Sequence, residues 1–368
     1  MQTRSAWLAC TCACLCGSAS ARADVDRDVA RARGLAWTKP VAIERVDAAE
    51  LRTRVHAGGS DAERDAFALW GLRDDDRAVT INAIYDPASG AVAALPGVQD
   101  PALVPAIDRA LIAQHVGSAA APDGDARRAR EALATGDAMA LSIEVALAAA
   151  GKPLPWDDPE LTAAIVDAAR GSAADVAAFE QADGLAYVAA LRRGRGKSWR
   201  AVDAAEHKPP TSTAQILHRD RRVAPVAVAL AAAPPASLAD AAVAQSDVWG
   251  ELGVRAFLRA HGVADAVARE AAAGWTGDRE VLCTRAGRSF GIWRIELDSD
   301  ESAARAAAAI DRAIQSLAPD GATAAWSEQR GTSVIAAIRV PIELQPALAA
   351  DAWALLAPAT RTGTARAR

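Results

Sequence analysis

The sequence predicts an α+β fold in which helices dominate, with a helical first half and a smaller α+β second half. Three observations carry this reading. Alanine, the strongest helix former, is abundant, while aromatic residues make up only 4% of the chain. Helical periodicity recurs through the first half, as in Leu103, Ile107 and Leu111 at four-residue spacing. Beyond residue 280, paired apolar runs flank the turn signals Ala286-Gly287 and Gly331, as strands do. Pro234-Pro235 is the expected boundary, giving regions 24–234 and 235–368 after an N-terminal segment of 1–23.

That N-terminal segment reads as a secretory signal. Arg4 supplies the positive charge, and 6–16 is an uncharged, mostly apolar run of 11 residues. Ala21-Arg22-Ala23 then has the small-x-small form that a signal peptidase pocket admits. Cys10, Cys12, Cys14 and Cys16 lie in the apolar run, but no Leu-small-small triplet precedes any of them, so lipid anchoring is the weaker reading. The expected location is periplasmic or extracellular. Only Cys283 remains after cleavage, so no internal disulfide is expected; Val281-Leu282-Cys283 reads as a buried strand.

Removing 1–23 takes two arginines and no acid, leaving 39 basic against 46 acidic residues. This balance argues against a nucleic-acid partner. No further apolar stretch reads as long and pure enough to span a membrane; the candidate 223–233 stops at Pro234-Pro235.

The elements follow in order. Residues 24–55 are charged and helical in parts. Ser60-x-x-Glu63 fits a capping box opening a helix that ends near Gly71. Strands at 80–84 and 91–95 flank the turn Tyr85-Asp86-Pro87-Ala88-Ser89-Gly90. Helices are expected at 101–115, 125–150, 159–170, 174–179, 184–193 and 199–206, and Ser212-x-x-Gln215 fits a second capping box. In the second half, 248–260, 264–273, 302–317 and 344–356 read as helices. Residues 280–285, 290–297, 322–327 and 333–340 read as strands. The segment Trp275 to Arg279 reads as a tight glycine turn whose Asp278 satisfies backbone donors.

Complete catalytic motifs are absent. The histidines are His56, His115, His207, His218 and His261; no two are closer than 11 residues, so the H-E-x-x-H pair that grips zinc on one helix turn does not occur. G-x-S-x-G and the glycine-rich nucleotide motifs are also missing. Gly194-Arg195-Gly196-Lys197-Ser198 ends like a phosphate-binding loop, but it lacks the earlier glycine and follows a helix, so it reads as a helix-ending loop.

An ordered set of segments nevertheless resembles one family. It comprises Tyr85-Asp86-Pro87, Leu133-Ala134-Thr135-Gly136-Asp137-Ala138, Gly184-Leu185-Ala186-Tyr187-Val188, Trp199 to Pro210, Ser212-Thr213-Ala214-Gln215-Ile216-Leu217-His218, Trp249-Gly250-Glu251 and Ala271 to Arg279. Together they are similar to exported bacterial zinc metallopeptidase-like proteins of the H-E-x-x-H type, over about residues 60 to 340. The family's zinc helix reads H-E-L-x-H-A-L-Q-D-Q-H-F. Here Pro105-Ala106-Ile107-Asp108-Arg109-Ala110-Leu111-Ile112-Ala113-Gln114-His115-Val116 stands in that register. The resemblance places Pro105 and Arg109 where the family has histidine ligands, Ala106 at its catalytic glutamate and Thr135 at its third ligand. It also implies that Pro105 and Thr135 approach each other.

All four chemical positions are therefore lost. His115 and Asp108, seven residues apart, stand roughly 10.5 Å apart along a helix axis, too far to share an ion easily. Glu131 and Asp137 are the other local acids. Asp137 reads as a structural group, and Arg109 as a fixed charge in the vacated space, pairing with Asp137. His218 either faces the cleft or caps a short helix. The expected protein is an exported, catalytically inactive zinc-metallopeptidase-like scaffold without metal or cofactor, binding a peptide or protein partner; His115, Asp137 and His218 are its candidate cleft residues. The alternatives are a divergent hydrolase that uses His115, His218 and an acid, or a structural envelope protein.

Overall fold

A computed structural model describes residues 22–56, 60–72, 81–117, 120–171, 175–196, 198–219, 225–317 and 321–358. The expected signal core and the basic tail 361–368 lie outside the described residues. The fold is α+β and helix-dominated, with 52% helix against 20% strand.

The first half runs α1 (Arg22–Arg33), β1 (Ile43–Arg45), α2 (Ala48–His56), α3 (Asp61–Leu69), β2 (Ala83–Asp86), β3 (Ala91–Ala94), α4 (Val104–Val116) and α5 (Gly124–Ala149). It continues with α6 (Pro159–Arg170), α7 (Asp175–Ala178), α8 (Gly184–Arg192), α9 (Arg200–His207) and α10 (Thr213–Leu217). The β2–β3 hairpin is joined by β1, which pairs parallel to β3. Ile107, Leu111, Leu133, Leu141, Leu185 and Trp199 form the core between these helices.

α5 is the central helix. Asp123 caps it by accepting from the Ala126 N–H at 2.8 Å. By length and composition alone α5 could cross a membrane, which corrects the expectation that no stretch beyond the N-terminal segment is long and apolar enough. Here its inward side chains include Asp125, Arg128, Asp137 and Glu144, all buried in protein. α5 meets α8 at Gly136 and Gly184. A Cβ on Gly136 would lie 2.2 Å from the Gly184 carbonyl carbon, and one on Gly184 would lie 2.1 Å from the Ala132 oxygen. Only glycine permits backbones that close. The chain enters this crossing through one π-helical turn, Phe179–Asp183, between α7 and α8.

The second half runs β4 (Val228–Leu230), β5 (Ala242–Asp247), α11 (Gly250–Ala260), α12 (Asp265–Ala272), β6 (Trp275–Arg285), β7 (Arg288–Leu297), α13 (Asp300–Gln315), β8 (Thr323–Arg330), β9 (Ser333–Pro341), α14 (Gln345–Leu355) and β10 (Leu356–Pro358). Its antiparallel sheet has the order β5-β6-β7-β9-β8. Alternation places Trp293, Ile295, Val334 and Ala336 with α11–α13, and Ile292, Ile335, Ala337 and Cys283 with α14. Cys283 is buried, and burial pushes its thiol up to about 12, so it has no thiolate character at neutral pH.

Two expectations are corrected. Residues 275–279 are the start of β6, not a glycine turn. Gly277 is required there because a Cβ would lie 2.1 Å from the Val226 carbonyl oxygen. The second capping box does not form: the Ser212 side chain caps nothing, Gln215 Oε1 accepts from Thr211 N at 2.8 Å, and Thr213 N donates to Asp125 Oδ1 at 3.0 Å. The first box forms by half. Ser60 Oγ accepts from Glu63 N at 3.1 Å, but the Glu63 carboxylate pairs with Arg127.

The chain turns at Pro234-Pro235, yet packing crosses from one half to the other. Trp70, which ends α3, inserts among Trp249, Phe257 and Trp293 at 5.4–6.0 Å between centroids. Its Nε1 donates to Glu280 Oε1 at 3.0 Å. Gly291 leaves room for it: a Cβ there would sit 2.6 Å from Trp70 Nε1. Asp278 is the hub of the second half's side of this junction. Its carboxylate accepts from Trp249 N (3.0 Å), Gly250 N (2.9 Å), Trp275 Nε1 (2.9 Å) and Trp293 Nε1 (2.8 Å). Asp278 thus does satisfy backbone donors, but those of the α11 entry rather than of its own segment.

Two outcomes are expected. Asp278→Ala strands four buried donors at about 1–3 kcal/mol each, so unfolding in denaturant should show a loss of at least about 3 kcal/mol; a loss below about 1 kcal/mol would contradict the hub role. Glu280 is fully buried with Oε2 unpartnered, and burial pushes its carboxyl up to about 8 from 4.5. A raised acid stabilises the fold at low pH and loses that contribution as pH rises through the folded value. Stability should therefore fall between pH 5 and 8, and Glu280→Gln should flatten the slope.

Candidate functional site

α4 and α5 lie side by side in the helical half. Pro105 stands in the first turn of α4, where its missing N–H costs no helical hydrogen bond. Ala106 is buried, and Arg109 lies one turn further on. Arg109 reaches α5: its Nη2 donates to Glu131 Oε2 at 2.7 Å and to Thr135 Oγ1 at 3.4 Å. The structure thus brings Arg109 and Thr135 into contact. The expected pairing of Arg109 with Asp137 is not found, because Glu131 takes the guanidinium. Arg109 keeps 31% of its side chain exposed and Glu131 47%, so the pair is open to solvent on one side. Burial opposes the Arg109 charge, but Glu131, Glu180 and Glu206 outweigh it and raise its pKa above the ordinary value.

Asp137 belongs to a buried network behind this pair. Arg33, from the last turn of α1, places both Nη atoms on its carboxylate, Nη2 to Oδ2 at 2.8 Å. Arg33 Nη2 also lies 2.9 Å from Asp203 Oδ1 of α9. Its guanidinium sits 4.3 Å from the Trp199 ring centroid, and that of Arg192 sits 4.1 Å from it. Arg192 is held by Glu144 at 2.5 and 2.8 Å, and Glu144 also accepts from Trp156 Nε1 at 2.6 Å. Two further acids border the network without a cation of their own. Burial, reinforced by Asp137, pushes Asp108 and Glu206 up to about 8.

The donor set does not fit zinc. Pro105 and Ala106 offer no side-chain donor atom. Arg109 is a permanent cation, and Thr135 offers a hydroxyl already accepting from it. Among the described residues, no group of three histidine, cysteine, aspartate or glutamate side chains could hold a metal ion.

The remaining candidates have defined partners. His115 Nε2 lies 2.9 Å from the Ala36 carbonyl oxygen, while the adjacent Gln114 accepts from Thr38 N and Lys39 N at 3.0 and 3.2 Å. Both side chains clip the α1–β1 connection to α4. His218 is the C-cap of α10, and its Nε2 lies 2.7 Å from Glu251 Oε1 in the first turn of α11. His115 and His218 therefore serve separate contacts. Sequence reasoning missed Arg33, Asp203 and Glu206. Arg33 meets Asp137 across 104 residues of chain, and no local pattern marks such a pairing.

Arg33→Ala should leave Asp137 buried without its cation, at a cost of about 3–5 kcal/mol. Limited proteolysis should then cut α1 faster than in the unmodified protein. An unchanged melting temperature and an unchanged digestion pattern would contradict the role of Arg33.

Comparison with known proteins adds one match. A family described as a domain of unknown function (DUF8575) matches residues 238–345, from just before β5 to the start of α14 and C-terminal to the Arg109 site. No curated protein and no solved structure matches the chain.

Proposed function

We propose that this chain is an exported, catalytically inactive protein on a zinc-metallopeptidase-like scaffold, which binds a peptide or protein partner in the cleft beside Arg109. One observation carries the reading. Arg109, at a position resembling a zinc ligand, donates to Thr135, at another, so a tethered cation stands among the positions that held the metal in the family. A general base and a Lewis acid at one point are what peptide hydrolysis on this scaffold needs, and Ala106 with Arg109 supplies neither. The half-exposed Arg109–Glu131 pair instead presents a fixed donor beside a carboxylate, a pairing suited to the polar groups of a peptide. The divergent-hydrolase reading needs His115, His218 and an acid at one point; His115 on the Ala36 carbonyl and His218 on Glu251 weigh against it.

The test is metal content and peptide binding in the same preparation. The purified protein is expected to carry far less than about one zinc per chain, the load of a filled catalytic site. It should show no chelator-sensitive peptidase activity and should retain members of a peptide library. Arg109→Ala should weaken that retention. Stoichiometric zinc with proteolysis abolished by a chelator would overturn the proposal and favour the hydrolase. A metal-free protein that retains no peptide would favour the structural envelope protein.

A further inference from the structure

The part-exposed face around Arg109 and Glu131 lies where α4, α5, the π-helical turn and α9 meet. Glu131 and Thr135 are one turn apart on α5, and both accept from the Arg109 guanidinium. The turn Phe179–Asp183 packs against the same stretch of α5, because Gly184, which follows it, lies on the Ala132 carbonyl. That packing brings Glu180 within electrostatic reach of Arg109. From α9, Asp203 lies 2.9 Å from Arg33 Nη2. Glu206, one turn further along α9, shares the face of Asp203 and reaches the charges of Arg33, Asp108 and Arg109.

The acids named here outnumber the arginines. Arg109 gives its short contact to Glu131, and Arg33 is shared by Asp137 and Asp203. Asp108, next to Arg109 on α4, is 1% exposed, and its Oδ1 accepts from no donor among the described residues. The same holds for Glu206 Oε1, which is also buried. Burial opposes the Arg109 charge, yet Glu131, Glu180 and Glu206 outweigh it, so the local field favours positive charge. A buried carboxylate oxygen without a donor costs free energy that an arriving N–H group restores. A bare metal ion needs ligands converged on one point, and among the described residues no three such groups converge. Carboxylates spread over α4, α5, the π turn and α9 suit instead a cation with N–H donors pointing several ways, an ammonium or a guanidinium.

We infer that the occupant of this face is a basic peptide, whose lysine or arginine side chain enters among Glu131, Glu180 and Glu206. The inference rests on the peptide-binding reading above and names the class of peptide.

The test sequences the members of a peptide library retained by the immobilised protein, then titrates the protein calorimetrically with capped Gly-Lys-Gly-Lys-Gly and with the same peptide carrying serine or glutamate in place of lysine. Retained members should be enriched in lysine and arginine. The lysine peptide should bind about tenfold or more tighter than the serine peptide, and the glutamate peptide weakest of the three. In the unmodified protein, added sodium chloride should weaken lysine-peptide binding, a readout that needs no variant. Glu131→Gln and Glu206→Gln, with melting unchanged, should each weaken the lysine peptide about tenfold. Glu301→Gln, at the exposed Arg305 pair on α13, should not. Retention of peptides without basic enrichment, equal affinity for the lysine and serine peptides, or lysine-peptide binding indifferent to salt would overturn this inference and leave peptide binding standing. Retention of no peptide at all would overturn both.

Discussion

The carboxylate of Asp278 is the constraint on which the second half's face toward the helical half depends. It is buried at the start of β6 and gathers two backbone amides from the entry to α11 and two indole N–H groups, Trp275 and Trp293. These bonds set α11 against the sheet. Gly250, at φ +76°, then passes so close to α5 that a Cβ would lie 1.7 Å from Asp125 Oδ1. Asp247 draws in the start of α5 by accepting from Gly124 N at 2.8 Å. Three aspartates thus tie sheet, α11, α10 and α5 together, and Trp70 closes the junction from α3. Directional bonds in an apolar setting favour one relative placement of these elements, because any other leaves several buried donors without acceptors.

With that frame fixed, the helical half is organised around arginines. Arg33 binds Asp137 and Asp203 beneath the Trp199 ring, Arg192 ties Glu144 to the loop before α9, and Arg109 bridges Glu131 and Thr135. A metal ion joins several ligands at one point; a guanidinium joins two or three acceptors in a plane and brings its own tether. The same helices can be held together by such cations without Lewis acidity or an exchangeable position. Acids exceed cations around Arg33 and Arg109, and burial with the neighbouring Asp137 charge pushes the carboxyls of Asp108 and Glu206 well above the usual carboxylate range.

Much of the fold was legible in the sequence because it is written in local patterns. The four-residue spacing of Leu103, Ile107 and Leu111 marks α4, and Ala286-Gly287 marks the β6–β7 turn, with Ala286 at φ +48°. β1 and β5 were not legible. β1 has three residues, and β5 is an edge strand whose register shifts between Val243 and Gln245, so neither shows sustained alternation. Trp275 to Arg279 reads as a turn because its glycine signals a break; the glycine instead admits the Val226 backbone. At the candidate site, the absence of any imidazole or carboxylate at Pro105, Ala106, Arg109 and Thr135 could be read directly. The choice of Glu131 over Asp137 as the partner of Arg109 could not, because it depends on Arg33 arriving from α1.

The central claim is that the part-exposed face around Arg109 and Glu131 binds a peptide rather than cutting it. Amide hydrogen exchange of the protein with and without a retained library peptide tests it most directly, because exchange reports where the occupant lies. The account expects slowed exchange in α4 and in the part of α5 around Glu131 to Thr135, with the peptide recovered intact. Protection confined to the sheet of the second half, or recovery of the peptide as fragments, would contradict it.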